Sequence, residues 1–213
     1  MNLDKKTSPT IGTYIGKRAK PDAPRTIVCF GTPRGGTSMV AGAIAGLGIF
    51  MGPDLPSNVE DPMFNPDVDK GLSFDAFKAR LPQVIDERNA AHQVWGWKYP
   101  RAARYLEDAL PKLRNPHLVL VYRDPVPATI RSKPENDRET YRELRRRLRM
   151  EMDNLLLAQK TKCPALMVSY ERACTNPEGF IAQLADFLQV TPPEDLGPLL
   201  AFMEPGSYKQ PVF

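Results

Sequence analysis

A short apolar run, Thr26-Ile27-Val28-Cys29-Phe30, leads into Gly31-Thr32-Pro33-Arg34-Gly35-Gly36 and then into a small-residue, apolar segment over 37–48. The run is rich in β-branched residues and bounded by Pro24 and Gly31, which reads as a buried strand. The segment behind the glycines reads as a helix. Strand, glycine turn and helix in that order open an α/β unit. The alternation continues along the chain. Residues 94–98, 118–122 and 166–170 read as strands, and 74–85, 101–113 and 139–160 as helices. Asn176 caps a further helix, in which Phe180, Leu184 and Leu188 recur at helical spacing. This pattern predicts a three-layer α/β fold with a central parallel sheet covered on both faces. Residues 25–213 are expected to form one domain behind a polar arm over 1–24. In such sheets ligands bind beyond the carboxyl ends of the strands, where the glycine turn falls.

Composition narrows the reading. At 213 residues and 42% hydrophobic content the chain sustains one sizeable core. A net charge of +4 favours anionic ligands, yet is too small to imply nucleic acid. Three cysteines without close spacing indicate neither a disulfide framework nor a zinc site, and Cys29 reads as a core residue. The first residues carry charges and prolines where a signal peptide needs an apolar core. The longest apolar stretch, over 39–51, falls short of the roughly 20 residues that span a bilayer. The expectation is a soluble, cytoplasmic protein with no membrane or nucleic-acid partner. Tyr141, Leu144, Leu148, Met152 and Leu155 fall on one stripe of the 139–160 helix. Arg142, Arg145, Arg146, Arg147 and Arg149 are expected on its solvated face. Gly42 and Gly46 suggest close packing of the 37–48 helix on the sheet, and Trp95 and Trp97 share one strand face.

The turn itself resembles the phosphate loop G-x-x-x-x-G-K-[ST], met at Gly31 and Gly36 but with Thr37 where the lysine belongs. Gly31, Gly35 and Gly36 let backbone N–H groups converge, and the helix behind them offers unpaired N–H groups to an anion. Arg34 adds a permanent charge, and Thr37 and Ser38 add hydroxyls. Arg123 follows the 118–122 strand, so two basic sites at separate strand ends suit a ligand with two anionic groups.

These residues resemble those of the sulfotransferases that use 3′-phosphoadenosine 5′-phosphosulfate. The family's loop runs P-[KR]-x-G-T-[ST], and Pro33-Arg34-Gly35-Gly36-Thr37-Ser38 fits it. Trp97-Lys98-Tyr99-Pro100-Arg101 is similar to its W-K-x-P-R strand end, and Arg123-Asp124-Pro125 to its R-D-P signature. Tyr170-Glu171, Asn176-Pro177 and Phe187-Leu188 resemble its closing segment. The resemblance implies a P-loop NTPase-like sulfotransferase fold and transfer of a sulfuryl group to a hydroxyl or amine of a small-molecule or carbohydrate acceptor. It implies that Arg34, Gly35, Gly36, Thr37 and Ser38 hold the 5′-phosphosulfate and that Arg34 and Lys98 stabilise charge on the leaving phosphate. Arg123 would hold the 3′-phosphate, joined by a serine whose usual place falls on Arg131, with Ser132 one residue later. No metal is demanded. The histidine that some members use as base is replaced by Pro100; Glu60 is the first candidate for that role, followed by Asp61 and Asp67. His117 reads as structural and His92 as exposed. The alternatives are a small-molecule kinase, which needs the missing lysine and Mg²⁺, and a catalytically inactive nucleotide-binding protein of the same fold. Residues 205–209 resemble a short tail whose basic residues approach the cofactor.

Overall fold

A computed structural model describes residues 11–18, 20–204, 206, 209 and 210. In chain order it contains β1 (Gly12–Ile15), β2 (Arg25–Gly31), α1 (Thr37–Gly46), α2 (Phe74–Ala91), β3 (Val94–Lys98), α3 (Leu106–Ala109) and β4 (His117–Tyr122). Then follow α4 (Pro125–Ile130), α5 (Asp137–Thr161), β5 (Ala165–Ser169), α6 (Tyr170–Thr175), α7 (Pro177–Leu188) and α8 (Gly197–Met203). The strands lie in the order β1-β5-β4-β2-β3. From β5 to β3 they are parallel, and β1 runs antiparallel against β5 at the edge.

The period-2 alternation of the strands divides the core into two layers. Ile27 and Cys29 of β2, with Val119 and Val121 of β4, pack with α1, α7 and α8. Val28, Phe30, Leu118 and Leu120 face the opposite way, with Trp95, Trp97, Phe77 and Tyr105. Trp95 and Trp97 are fully buried beside Phe64, and Trp97 Nε1 donates to Tyr105 Oη at 3.0 Å. Cys29 is buried, which pushes its thiol up to about 12. Register aligns the strand exits, with Cys29 opposite Lys98, Gly31 opposite Val121 and Tyr122 opposite Ser169. Because β2 has β4 on one side and β3 on the other, the chain turns in opposite directions from it. A crevice opens at that switch point, at the carboxyl ends.

Several elements differ from the sequence reading. The arm over 1–24 contributes β1, held at the edge by Gln183 Nε2 donating to Gly12 O at 2.8 Å; residues 1–10 and 19 lie outside the described set. The single helix expected over 101–113 is broken into 3₁₀ turns at Ala102–Arg104 and Leu110–Lys112 with one α turn between them. Pro111 lacks the N–H that would continue it. Helix α2 runs past the expected residue 85 to Ala91, and its added turns are used: Arg88 Nη2 donates to Asp61 at 3.0 Å and Asn89 accepts from Trp95 Nε1 at 3.1 Å. The apolar stripe of α5 is not its packing face. Tyr141, Leu148, Met152 and Leu155 are exposed, while Arg147, Asn154, Leu157 and Ala158 are buried. Part of that buried face meets loop carbonyls rather than side chains, so it selects donors.

Gly42 and Gly46 pack on α8 rather than on the sheet. A Cβ at Gly42 would lie 1.9 Å from the Phe202 ring, and one at Gly46 2.8 Å from Leu199. Gly42→Ala is therefore expected to overpack this contact and cost about 1–3 kcal/mol, read as a lower urea midpoint with unchanged slope. Among the described residues no helix is long and apolar enough to cross a membrane.

Candidate active site

The chain leaves β2 at Gly31, turns through Thr32-Pro33-Arg34-Gly35-Gly36 and enters α1 at Thr37. Gly36 has φ 86°, and a Cβ there would fall 2.0 Å from the Tyr170 ring, so both backbone angle and space require glycine. Arg34 also adopts a left-handed φ of 60°, which costs a non-glycine residue about 1–2 kcal/mol. That conformation is held from outside: Arg34 O accepts from Arg123 Nη1 at 3.0 Å. Pro33 O accepts from Arg147 Nη1 at 2.7 Å, and Gly31 O from Asn154 Nδ2 at 3.1 Å. Gly35 N–H closes the turn on Thr32 O at 2.9 Å. With carbonyls turned to these donors, α1 begins without a side-chain cap and without an acid in its first turn. The first-turn N–H groups of a helix have no intrahelical acceptor, and they carry its positive dipole end.

In front of this helix end lies a cavity of about 260 Å³. Arg34, Gly36, Thr37 and Ser38 line it, as do Arg123, Arg131 and Tyr170. Lys98 and Glu60 also line it. Strand β3 delivers Lys98, 2% exposed, whose Nζ donates to Glu60 Oε1 at 2.7 Å, Asn58 O at 3.0 Å and Ser38 Oγ at 3.2 Å. Burial pushes the Lys98 pKa below the usual lysine value, while the charge and hydrogen bond of Glu60 pull it back up. Glu60 Oε2 accepts from Asn65 Nδ2 at 2.7 Å. The loop that presents Glu60 carries a fully buried β-branched residue, Val59, at φ 57°, a backbone outlier of the kind that clusters at functional sites.

Of the three candidate carboxylates only Glu60 lines the cavity. Asp61 is 1% exposed, caps the turn Pro62–Phe64 through Met63 N–H at 2.9 Å and pairs with Arg88. Burial pushes its pKa up, and those contacts pull it down. Asp67 accepts from Tyr99 Oη at 2.7 Å, with Arg101 and Arg104 each at 3.6 Å. His117 is buried at the start of β4, with Nδ1 2.7 Å from Asn115 O; His92, partly buried, stacks on Phe50. Neither histidine lines the cavity.

The Arg123 guanidinium lies over the Tyr170 ring, 4.5 Å from its centroid, and Asp124 caps α4 through Val126 N–H at 2.9 Å. Arg131 lines the cavity and Ser132 does not. The Ser132 hydroxyl accepts from Arg147 Nη2 at 2.7 Å and is 3.4 Å from Ala128 O; the extra residue in the spacing gives Arg131 the place on the cavity wall. Gly35, expected at the phosphate, is buried with its N–H already used within the turn. Of the tail, Lys209 lines the cavity, and Pro205, Ser207 and Tyr208 lie outside the described residues.

Sequence reasoning missed Arg147 and Asn154. Arg147 is 2% exposed although its neighbours Arg145, Arg146 and Arg149 are exposed. The available signal was positional: Glu143, Arg147 and Asn154 are four and seven residues apart, which sets three polar groups on one helix face beside Leu157 and Ala158.

A model of the sulfotransferase family matches residues 53–194, a span that holds Glu60, Lys98, Arg123 and Arg147. The fold aligns with the crystal structure of retinol dehydratase in a complex with retinol and PAP, at TM-score 0.50 and 14% identity over 85% of this chain. This chain spans 65% of that protein's length. It also aligns with the sulfotransferase domain from the Synechococcus PCC 7002 olefin synthase, at TM-score 0.51 and 19% identity, over 90% of this chain and 82% of that one. At these identities the likeness shows a shared fold. No curated protein matches the sequence.

Proposed function

The chain belongs to the sulfotransferase family, and from that premise we propose that it transfers a sulfuryl group from 3′-phosphoadenosine 5′-phosphosulfate to a hydroxyl or amine of a small-molecule or carbohydrate acceptor, in the cytoplasm. The observation that carries this reading is the donor set of one cavity: a helix N-terminus with Arg34, Thr37 and Ser38, a second cationic group of Arg123 and Arg131, and the Lys98–Glu60 pair. Two separate cationic groups fit a nucleotide carrying anions at both its 5′ and 3′ positions. The co-substrate supplies an activated sulfuryl group on a phosphate leaving group. Arg34 and the N–H groups at the start of α1 bind the 5′ end, and Arg123 with Arg131 binds the 3′-phosphate.

Lys98 has three ammonium hydrogens and three partners at rest, the longest contact being that to Ser38 at 3.2 Å. It exchanges that contact for an oxygen of the leaving group as charge builds there, the kind of fixed electrostatic stabilisation that dominates such reactions. Each Glu60 oxygen accepts one hydrogen bond and retains a second lone pair. Glu60 receives the acceptor's proton while the bond from acceptor oxygen or nitrogen to sulfur forms and the bond from sulfur to the bridging phosphate oxygen breaks. Charge neutralisation rests on arginine and lysine, so turnover is proposed to need no metal.

The test is transfer of label from ³⁵S-labelled co-substrate to a panel of alcohols and amines, with release of the bisphosphate, in the presence and absence of a chelator. Transfer that survives chelation supports the reading; phosphoryl transfer from ATP in its place overturns it. Glu60→Gln keeps an acceptor for Lys98 and removes the base. It is expected to lower kcat by about 10²–10⁴-fold with little change in affinity for adenosine 3′,5′-bisphosphate, and full activity would remove Glu60 from the mechanism.

A further inference from the structure

The reaction scheme leaves the burial of Arg147 unexplained. A guanidinium taken out of water is retained only where its hydrogen bonds compensate. Arg147 Nη1 donates to Pro33 O at 2.7 Å, Nη2 donates to Ser132 Oγ at 2.7 Å, and Glu143, one turn back on α5, holds Nη2 at 3.0 Å. Its Nε meets no described partner, so the side chain is spent on reach rather than on full satisfaction. Pro33 belongs to the loop before α1. Ser132 belongs to the turn after α4, next to Arg131. One planar fork therefore spans the loop that carries Arg34 and the turn that carries Arg131.

The loop has other supports for its own shape. Gly35 N–H bonds Thr32 O, Asn154 holds Gly31 O, Arg123 holds Arg34 O, and Gly36 sits against Tyr170. What Arg147 adds is the tie between the loop and the turn that carries Arg131. We propose that Arg147 is a positioning residue that fixes the spacing of the two anion subsites, and so favours nucleotides phosphorylated at both the 5′ and 3′ positions over those with one phosphate. Ser132 acts through Arg147 rather than on the ligand. This rests on the two-subsite reading above.

The physical logic is that of a bivalent ligand. When two linked anions bind two sites, the second contact strengthens binding only while the spacing matches, whereas a single anion is indifferent to it. The test titrates the wild type, Arg147→Met, Arg147→Lys and Ser132→Ala with adenosine 3′,5′-bisphosphate, adenosine 5′-monophosphate and adenosine 3′-monophosphate, with thermal melts alongside. Arg147→Met is expected to weaken the bisphosphate by about 10-fold or more while each monophosphate moves less than about 3-fold. Lysine does not restore the ratio, because a compact ammonium cannot bridge both acceptors as the fork does. Ser132→Ala cuts only the turn end of the bridge and gives a smaller loss of the same pattern; it decides the matter if Arg147→Met does not fold. Proportional weakening of all three ligands, or of none, overturns the proposal, since Arg147 then supports only the fold. A wild type that shows no preference for the bisphosphate sinks the two-subsite reading and this proposal with it.

Discussion

Lys98→Met is expected to lower kcat for sulfuryl transfer by about 10²–10³-fold, the usual effect of removing one preorganised donor from developing charge. Methionine matches the length of the lysine stem and suits a site that is only 2% exposed, so the strand β3 keeps its packing. Glu60 then loses one partner but keeps Asn65 on its other oxygen at 2.7 Å. The loss therefore falls on the reaction more than on the fold. Steady-state kinetics paired with titration of adenosine 3′,5′-bisphosphate separates the two: kcat collapses while nucleotide affinity changes far less. A variant within a few-fold of the wild type would mean that Lys98 is only the structural partner of Glu60.

Gly36→Ala is expected to reduce kcat/KM by about 100-fold, the penalty for displacing a reacting group by about an ångström. The added Cβ falls 2.0 Å from the Tyr170 ring at a backbone φ of 86°. Neither the loop nor the ring can yield independently. Tyr170 carries the Arg123 guanidinium on its face, 4.5 Å from the ring centroid, and Arg123 in turn donates to Arg34 O. A push on the ring is therefore a push on both cationic groups. Nucleotide titration should show the affinity falling sharply, while unfolding stability falls by the left-handed alanine, about 1–2 kcal/mol, and by overpacking against the ring, about 1–3 kcal/mol. Unaltered binding would show that the ring and loop adjust without moving the site.

The sheet was legible wherever the chain wrote it in apolar, β-branched runs. Strand β3 falls on the expected residues 94–98, and β4 extends the expected 118–122 by one residue at its start. Strand β1 was not legible, because an edge strand needs one partner only, and Gly12-Thr13-Tyr14-Ile15 carries little pattern of its own. The α5 stripe misled for a related reason. Hydrophobic periodicity assumes an apolar neighbour, and this helix turns part of one face toward the carbonyls of Gly31 and Pro33, which ask for Asn154 and Arg147. In the site, motif spacing brought Arg34, Lys98 and Arg123 into view, and the structure gathers all three around one cavity. The choice among Glu60, Asp61 and Asp67 was beyond spacing, since adjacent residues in a turn diverge: Asp61 serves as a cap and Glu60 faces Lys98. The offset of Ser132 from the usual serine position was visible as a number, but its consequence, Arg131 on the cavity wall and Ser132 on Arg147, needed the geometry of the turn.

The loop between β2 and α1 is proposed to receive one anion of a nucleotide whose second anion is held by Arg123 and Arg131. Calorimetric titration of the purified protein with adenosine 3′,5′-bisphosphate and with ADP, each with and without Mg²⁺, tests it most directly. The bisphosphate is expected to bind far more tightly than ADP, with Mg²⁺ leaving this unchanged; Arg34→Ala weakens both nucleotides, and Arg123→Ala abolishes the preference between them. Tighter, Mg²⁺-dependent binding of ADP would contradict it and make Gly31-Thr32-Pro33-Arg34-Gly35-Gly36 a kinase loop that works without its lysine.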